Sequence, residues 1–567
     1  MRPITWFANG SFLAAAAVLS VCTGQAVLAQ QVLLQGIPDY QQNDFAGTND
    51  CAPVAAANVL GYWDAHGFQD LISGTNDFGS NPAGVTALVD TLKAKMHWTP
   101  SGTQIAWIWI GIAESVYEKG YSFRSANLTR PSWAEIRQEP DRRRPAILTL
   151  YHRSYGAMHT VTLIGYSENT NDQVVVVHDV WYPANDVWLN FSECSELVLT
   201  AVAACLYVDD DAPGDPAPGD ASVGDPQENG SPGHPFDSIQ EAVDSAYEGI
   251  TISVGNGVYS GAGNHDIALG GKVVSIIAPG GPATCFIECG GIGDSPRRAL
   301  VLTGGQPRSW VIQGFSIRGG HSDEGGGVYC RNASPTFRNC IFFGNSGGRG
   351  GAVFSQDSSP LFENCTIANN TAEIEGGGIF FTGTGTPVIR NCIIWGNAAY
   401  QISPTGALVS FSNVAGGYGG DSIMDSDPFF AGDTTGDFHL KSRFGRYSPS
   451  ASGGTGGWVF DGASSPCLDA GDASSPWAYE PEPNGGRVNL GAYGNTQEAS
   501  LSGPWWRIPG DVNDDCHVNI LDMIHIRNAL GLDPSSGTNW KKDVNRDGKI
   551  NVLDLIFVRN WSGAKCY

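Results

Sequence analysis

The sequence predicts a multidomain protein in which three folds follow one another: an α+β module, an all-β coil of stacked strands, and a small α-helical module. Three observations predict it. Residues 37 to 207 alternate helix-like and strand-like segments. Residues 235 to 500 repeat an Asn-Cys signature at steps of 25 and 27. The chain then closes on two nearly identical acidic loops, each followed by an apolar segment of helical period. A chain of 567 residues also exceeds what one core usually serves. Its formal charge of −25, with 74 glycines and only 16% charged residues, describes a sparsely charged acidic surface that repels nucleic acid.

At the N-terminus, Arg2 precedes an apolar stretch from Phe12 to Val21, too short to span a bilayer, and Val27-Leu28-Ala29 places small residues at cleavage spacing. Residues 1–29 are expected to be a signal peptide cut after Ala29. Leu19-Ser20-Val21-Cys22 is the weaker, lipoprotein-like alternative, because Val21 is large for that box. No later segment reads as a transmembrane segment, so the expected location is secreted, extracellular or held at a cell surface by docking. Twelve cysteines follow Cys22, and an oxidising compartment tends to pair them. Cys194 and Cys205 are expected to form a disulfide.

In the front module, Asn49-Asp50-Cys51-Ala52-Pro53-Val54 runs from a polar turn into an alanine-rich helix reaching Trp63. A helix N-terminus offers unpaired N–H groups and positive dipole, which favour thiolate over thiol. Cys51 is therefore the candidate nucleophile at neutral pH. Pro145 to Leu150 reads as a buried strand, His159 heads a second that runs to Gly165-Tyr166, and Val174 to His178 is a third that delivers Asp179. His152 and His178 compete with His159 for the role of base. His152 sits in a polar loop and His178 faces away from Asp179 by strand alternation, so His159 ranks first. Asp186 is the rival carboxylate.

Cysteine, histidine and carboxylate in that order, each at the edge of an element, resemble the papain-fold peptidases of the bacteriocin-processing, double-glycine-leader type. The resemblance implies a papain-like α+β domain over residues 30–208 that hydrolyses peptide bonds through a thiol ester. Cys51 would attack, His159 would act as general base and then acid, and Asp179 would fix the imidazole tautomer. The family's oxyanion donor is an upstream glutamine; Gln42 fits best and Gln41 is its neighbour-rival. Ala52 stands where the family usually has glycine.

Residues 209–234, with Asp-Asp-Asp and repeated Pro-Gly-Asp, read as an acidic linker. From 235 to 500, Asn339-Cys340, Asn364-Cys365 and Asn391-Cys392 recur together with Pro335, Pro360 and Pro387, and Trp310 to Phe315 fits one turn earlier. Short apolar strands and glycine turns at this period mean a solenoid whose turns bury their faces against one another. The pattern resembles right-handed parallel β-helices of the pectin-lyase-like class. Pro235 to Val243 with Thr251 to Val254 is similar to their helical cap and first strand, and Ser465 to Asp472 with Val488 to Tyr493 is similar to their end. The repeating asparagines are expected to stack into internal ladders, and Cys340, Cys365 and Cys392 into a buried column. Asp421, Asp425 and Asp427 form one acidic knot that reads as a turn, so this module is expected to bind surface glycans or act as a spacer.

The closing loops offer oxygen ligands at positions 1, 3, 5 and 12 with a carbonyl at 7: Asp511, Asn513, Asp515, His517 and Asp522, then Asp543, Asn545, Asp547, Lys549 and Asp554. That pattern suits calcium, so two Ca2+ ions are expected. A loop–helix unit repeated after 32 residues resembles the type I dockerin over residues 509–567, which implies a cohesin-type partner. Positions 10 and 11, which take part in partner choice in that family, are Ile520-Leu521 and Val552-Leu553. Cys516 replaces the turn glycine of the first loop, and the resemblance implies a Cys516–Cys566 bridge.

The whole reads as a secreted cysteine peptidase-like protein docked to a cohesin-bearing partner. The alternatives are a non-catalytic adhesion or scaffold protein, and a β-helix lyase or hydrolase in polysaccharide catabolism.

Overall fold

The computed structural model describes residues 30–502 apart from 46–48, 78, 170–171, 182–185, 210, 212–227, 293–294, 434 and 450–455, and then 512, 518–532, 542, 544 and 549–561. The expected signal peptide lies outside the described residues, as do Cys516 and Cys566.

The front module runs β1 (Gln30–Leu33), α1 (Cys51–Ala65), α2 (Pro82–Lys95), α3 (Ile105–Tyr117), β2 (Phe123–Thr129), α4 (Trp133–Asp141), β3 (Ala146–His152), β4 (Met158–Glu168), β5 (Gln173–His178), β6 (Val187–Asn190) and β7 (Cys194–Val208). Ala52 to Trp63 are all buried, so α1 is a central helix, apolar on every side. Asn81 starts α2 by accepting the Gly84 N–H, with Pro82 at the first helical position. Ser132 and Glu135 form a capping box on α4.

The strands pair antiparallel in the order β6-β5-β4-β3-β7-β2, and β1 joins the far half of β4 with Leu33 opposite Gly165. A Cβ at Gly165 would stand 2.3 Å from the Val32 carbonyl oxygen, which is why this position carries none. Strand alternation divides the module. Ile136 of α4 packs with Leu148, Leu150, Val161 and Leu163 on one face, and α1 to α3 cover the other. Asn58, fully buried in α1, accepts the Tyr40 N–H at 2.8 Å and donates to Thr162 Oγ1 at 3.2 Å, tying the helix to β4.

The boundary read at residue 208 is bridged by strand pairing. Cys205–Val208, the end of β7, pair in parallel with β8 (Thr251–Val254), which follows the cap helix α5 (Ile239–Ser245). Residues 228–236 fold back onto the same strand, the Phe236 N–H donating to the Tyr207 carbonyl at 2.9 Å. Buried Trp63, Phe123, Leu206, Phe236 and Ile252 belong to one continuous apolar cluster, so the two modules share a core where they meet. The expected Cys194–Cys205 disulfide is not formed. Both residues lie on β7, and at about 3.3 Å per residue eleven positions of extended strand hold them far beyond bridging distance.

Beyond the junction, parallel strands stack in register. Ile341 is opposite Thr366, and Thr366 opposite Ile393, reproducing the steps read from the sequence. Phe337 and Phe362 stack at 5.2 Å inside the coil. Cys340, Cys365 and Cys392 form the expected buried column, with Cys392 Sγ accepting the Cys365 N–H at 3.4 Å.

The asparagine ladder belongs to a different series from the one the repeat singled out. Asn345 Nδ2 donates to Asn370 Oδ1 at 3.0 Å, and Asn370 Nδ2 to Asn397 Oδ1 at 2.9 Å, each residue also meeting a backbone N–H of its neighbour. Asn339, Asn364 and Asn391 instead occupy left-handed turns, at φ +48°, +49° and +56°. Their amides hold the returning C-terminal segment: Asn339 donates to the Ala492 and Gly494 carbonyls, Asn364 to Gly494 and Asn391 to Ser475 Oγ. Asn370→Ala is expected to destabilise the coil by about 3 kcal/mol in chemical denaturation, because it orphans buried partners above and below. A loss under about 1 kcal/mol would show that the ladder is not structural.

The C-terminal helices, α6 (Ile520–Arg527) and α7 (Val552–Trp561), enclose a small core of Val512, Val518, Ile526, Ala529, Ile550 and Val558.

Candidate active site

Cys51 is the first residue of α1, preceded by the fully buried Asp50 at the N-cap. Across from it stands β4, whose side chains alternate. Thr160 and Thr162 face α1, where Thr162 Oγ1 donates to the Ala55 carbonyl at 3.3 Å, while Val161 and Leu163 enter the opposite core. Thr160, not His159, is therefore what the thiol meets. Burial pushes the Cys51 thiol up from its ordinary value, and hydrogen bonds from Thr160 and from the backbone of Ala52 and Cys51 itself offset only part of this. The helix N-terminus alone predicts a thiolate; removal from water reverses that expectation.

His159 is the second residue of β4, 2% exposed, with its ring 4.0 Å from Trp181 and 4.7 Å from Tyr155. Its Nε2 lies 2.7 Å from the main-chain oxygen of Asp179. A carbonyl can only accept, so a neutral imidazole in this place carries its proton on Nε2 and leaves Nδ1 as the acceptor. Burial holds the imidazole below its usual value, with the Asp179 backbone and charge working against it. The structure thus brings His159 to Asp179, through the peptide carbonyl. The Asp179 carboxylate accepts the Trp181 N–H at 3.0 Å. No hydrogen bond joins Cys51 to His159 among the described residues.

The rival groups pair with one another. His178 Nε2 lies 3.5 Å from Asp186, and its Nδ1 is 3.1 Å from the Pro38 carbonyl oxygen. His152 closes β3, is buried, and faces Glu193 at 3.4 Å. Gln41 is buried and donates Nε2–H to the Asp39 carbonyl at 3.0 Å and to Asp39 Oδ1 at 2.7 Å. Gln42 is half-buried and donates its backbone N–H to the Val180 carbonyl at 2.7 Å, which sets it beside the Asp179 segment. Trp181 and Tyr155 were missed in sequence, since an aromatic in a loop carries no signal of the ring it will cover.

Three family matches fall on the three modules. Residues 34–197 match the Peptidase_C39 like family, residues 299–415 a right handed beta helix region, and residues 509–561 the dockerin type I domain. The chain resembles three families in series. Among solved structures, the peptidase domain of Streptococcus ComA, a bifunctional ABC transporter involved in quorum sensing, is 14% identical and aligns over 29% of this chain and 96% of its own, with a TM-score of 0.19. The Prevotella intermedia interpain A cysteine protease is 14% identical over 32% of this chain and 98% of its own, at 0.21. Pectate lyase Pel9A is 15% identical over 51% and 96%, at 0.24. No curated protein matches the chain.

In the dockerin module, Asp522 and Asp554, at position 12 of each loop, are fully buried. Asp522 accepts the Val512 and Asn519 N–H groups at 2.9 and 2.8 Å, which folds it back over its loop, and Asp554 accepts the Asn551 N–H at 2.8 Å, the counterpart of the Asn519 contact. Two buried carboxylates in equivalent places are hard oxygen donors of the kind that suits the calcium the dockerin type I family binds. Asp511, Asn513, Asp515, His517, Asp543, Asn545 and Asp547 lie outside the described residues. Ile520, Leu521, Val552 and Leu553 are all at least half exposed, the two loops presenting matching aliphatic pairs. No helix among the described residues is long and apolar enough to cross a membrane.

Proposed function

We propose that residues 30–208 are a cysteine peptidase that hydrolyses peptide bonds, and that the dockerin, at 509–567, holds two calcium ions and fixes the enzyme to a cohesin-type partner outside the cell after removal of residues 1–29. The observation that carries the reading is the His159–Asp179 carbonyl bond, which fixes the ring and leaves Nδ1 as its proton acceptor. On this reading Cys51 Sγ attacks the scissile carbonyl carbon and passes its proton to His159. The side-chain amide of Gln42 and the Cys51 N–H receive the oxyanion, and the leaving amine takes the proton back from His159. Water, deprotonated by the same imidazole, then attacks the thiol ester carbon, the C–S bond breaks to release the acid, and the imidazolium returns its proton to Cys51 Sγ. Nδ1 must come within reach of Sγ as substrate binds; catalytic contacts of this kind are often long before the complex forms.

Because Asp179 acts through its backbone, Asp179→Ala is expected to cost less than about tenfold in kcat/KM, while His159→Ala costs about a thousandfold or more. Digestion of a peptide mixture by the two variants, read by mass spectrometry, checks this. Equal losses would mean that the carboxylate, not the carbonyl, orients the ring.

One observation favours a second reading, glycan binding by the β-helix. A cavity of about 600 Å3 lies between the front module and the solenoid, lined by Arg124, Tyr479, Tyr493, Asn495, Gln497 and Glu498, with Tyr479 66% exposed. Tyr479→Ala is expected to weaken oligosaccharide binding at least about tenfold in calorimetry. Failure of the wild type to bind any member of a panel of neutral and uronic oligosaccharides would sink it.

A further inference from the structure

The turn that delivers Cys51 is gripped by the end of a neighbouring helix. Asp50 stands at the N-cap of α1, yet its carboxylate makes no cap hydrogen bond. It is fully buried, and Lys93 Nζ, in the last turn of α2, lies 2.6 Å from Oδ2. Neither carboxylate oxygen has a hydrogen-bond partner beyond this ion pair. A carboxylate taken wholly out of water needs a counter-charge, and Lys93 supplies it.

The same ammonium lies 5.1 Å from the Trp98 ring centroid, and Trp98 donates its indole N–H to the Asn49 carbonyl at 3.1 Å. Asn49, in the left-handed region at φ +64°, donates Nδ2–H to the Pro100 carbonyl at 2.7 Å. Residues 93 to 100 thus hold the two residues immediately before the thiol.

We infer that Lys93 is a positioning residue for Cys51: by neutralising Asp50 it allows negative charge to form on Sγ one residue away. The inference rests on the reading of Cys51 as nucleophile. The charged groups at this end of α1 are Asp50 at the N-cap and Lys93 from α2, and the proposed site adds His159 from β4 and Asp179 after β5. With His159 neutral, Lys93 is the cation among them. Without it, a buried Asp50 carboxylate and a Cys51 thiolate would be like charges on adjacent residues, which disfavours the thiolate.

The test is iodoacetamide alkylation of the full-length protein from pH 6 to pH 10, following the Cys51 peptide by mass spectrometry. Lys93→Met is expected to move the midpoint up by at least about one unit, so that alkylation at pH 8 slows about tenfold. Lys93→Arg keeps the wild-type midpoint, and the double variant Asp50→Asn with Lys93→Met restores it. Asp50→Asn alone leaves an unopposed cation and moves the midpoint down. If Lys93 merely supports the fold, its loss lowers the melting temperature and leaves the midpoint where it was; that result overturns the inference. Should Lys93→Met fail to fold, Asp50→Asn carries the test, and a midpoint unchanged or raised overturns it. Midpoints that shift as expected in a protein that cuts no peptide would sink the peptidase reading while upholding the ion-pair role.

Discussion

Cys51→Ala is expected to abolish peptide cleavage, by at least about four orders of magnitude in kcat/KM, because the proposed reaction runs through a thiol ester on Cys51. The substitution removes one sulfur from a site that already accepts an alanine next door at Ala52, so the melting temperature should hardly move. Cuts that persist in the variant would assign the activity to another residue or to a contaminant. The pH dependence has a definite sign. Burial raises the Cys51 thiol above its ordinary value and lowers the His159 imidazole below its own, so the resting pair near neutrality is thiol and neutral imidazole. Alkylation should therefore climb from pH 7 through pH 9 without an intervening plateau. A plateau already reached by pH 6 would show a thiolate–imidazolium pair. His159 also links site and stability. A histidine whose folded value is depressed contributes its full stability above the unfolded value of about 6.5 and loses it as pH falls below that.

Removal of calcium is expected to abolish docking and unfold the C-terminal module while leaving Cys51 alkylation unchanged. Two short helices with a six-residue apolar core cannot stand on burial alone. Asp522 and Asp554 are buried carboxylates whose loops otherwise gather like charges. An ion present at a thousandfold over its dissociation constant adds about 4 kcal/mol per site. Chelation should thus produce a separate low-temperature transition by calorimetry, reversed by added calcium. A dockerin that melts at the same temperature with and without chelator would remove calcium from the account. Asp522→Ala and Asp554→Ala should each mimic half the effect.

The middle module shows how far a repeat can be read. Spacing alone placed the strands, the proline corners and the column of Cys340, Cys365 and Cys392, because stacked turns must repeat side chains at the turn period. It did not distinguish the two asparagine series. Asn339, Asn364 and Asn391 sit beside the cysteines and catch the eye, but their left-handed backbone turns their amides outward to the returning chain, while Asn345, Asn370 and Asn397 point inward and bond to one another.

The sequence by itself determined the number and kind of modules, the order of Cys51, His159 and Asp179, and the twin acidic loops, since each rests on local spacing that a fold must honour. Tertiary structure decided the rest. That Thr160 meets the thiol follows from strand phase against α1, and that Asp179 meets His159 through its carbonyl follows from the backbone path after β5. That Cys194 and Cys205 stay apart follows from both lying on one strand, β7, whose last four residues found a partner in β8 and joined two modules the sequence had separated. These outcomes turn on which atoms desolvate together, and contacts between distant segments leave no trace in local spacing.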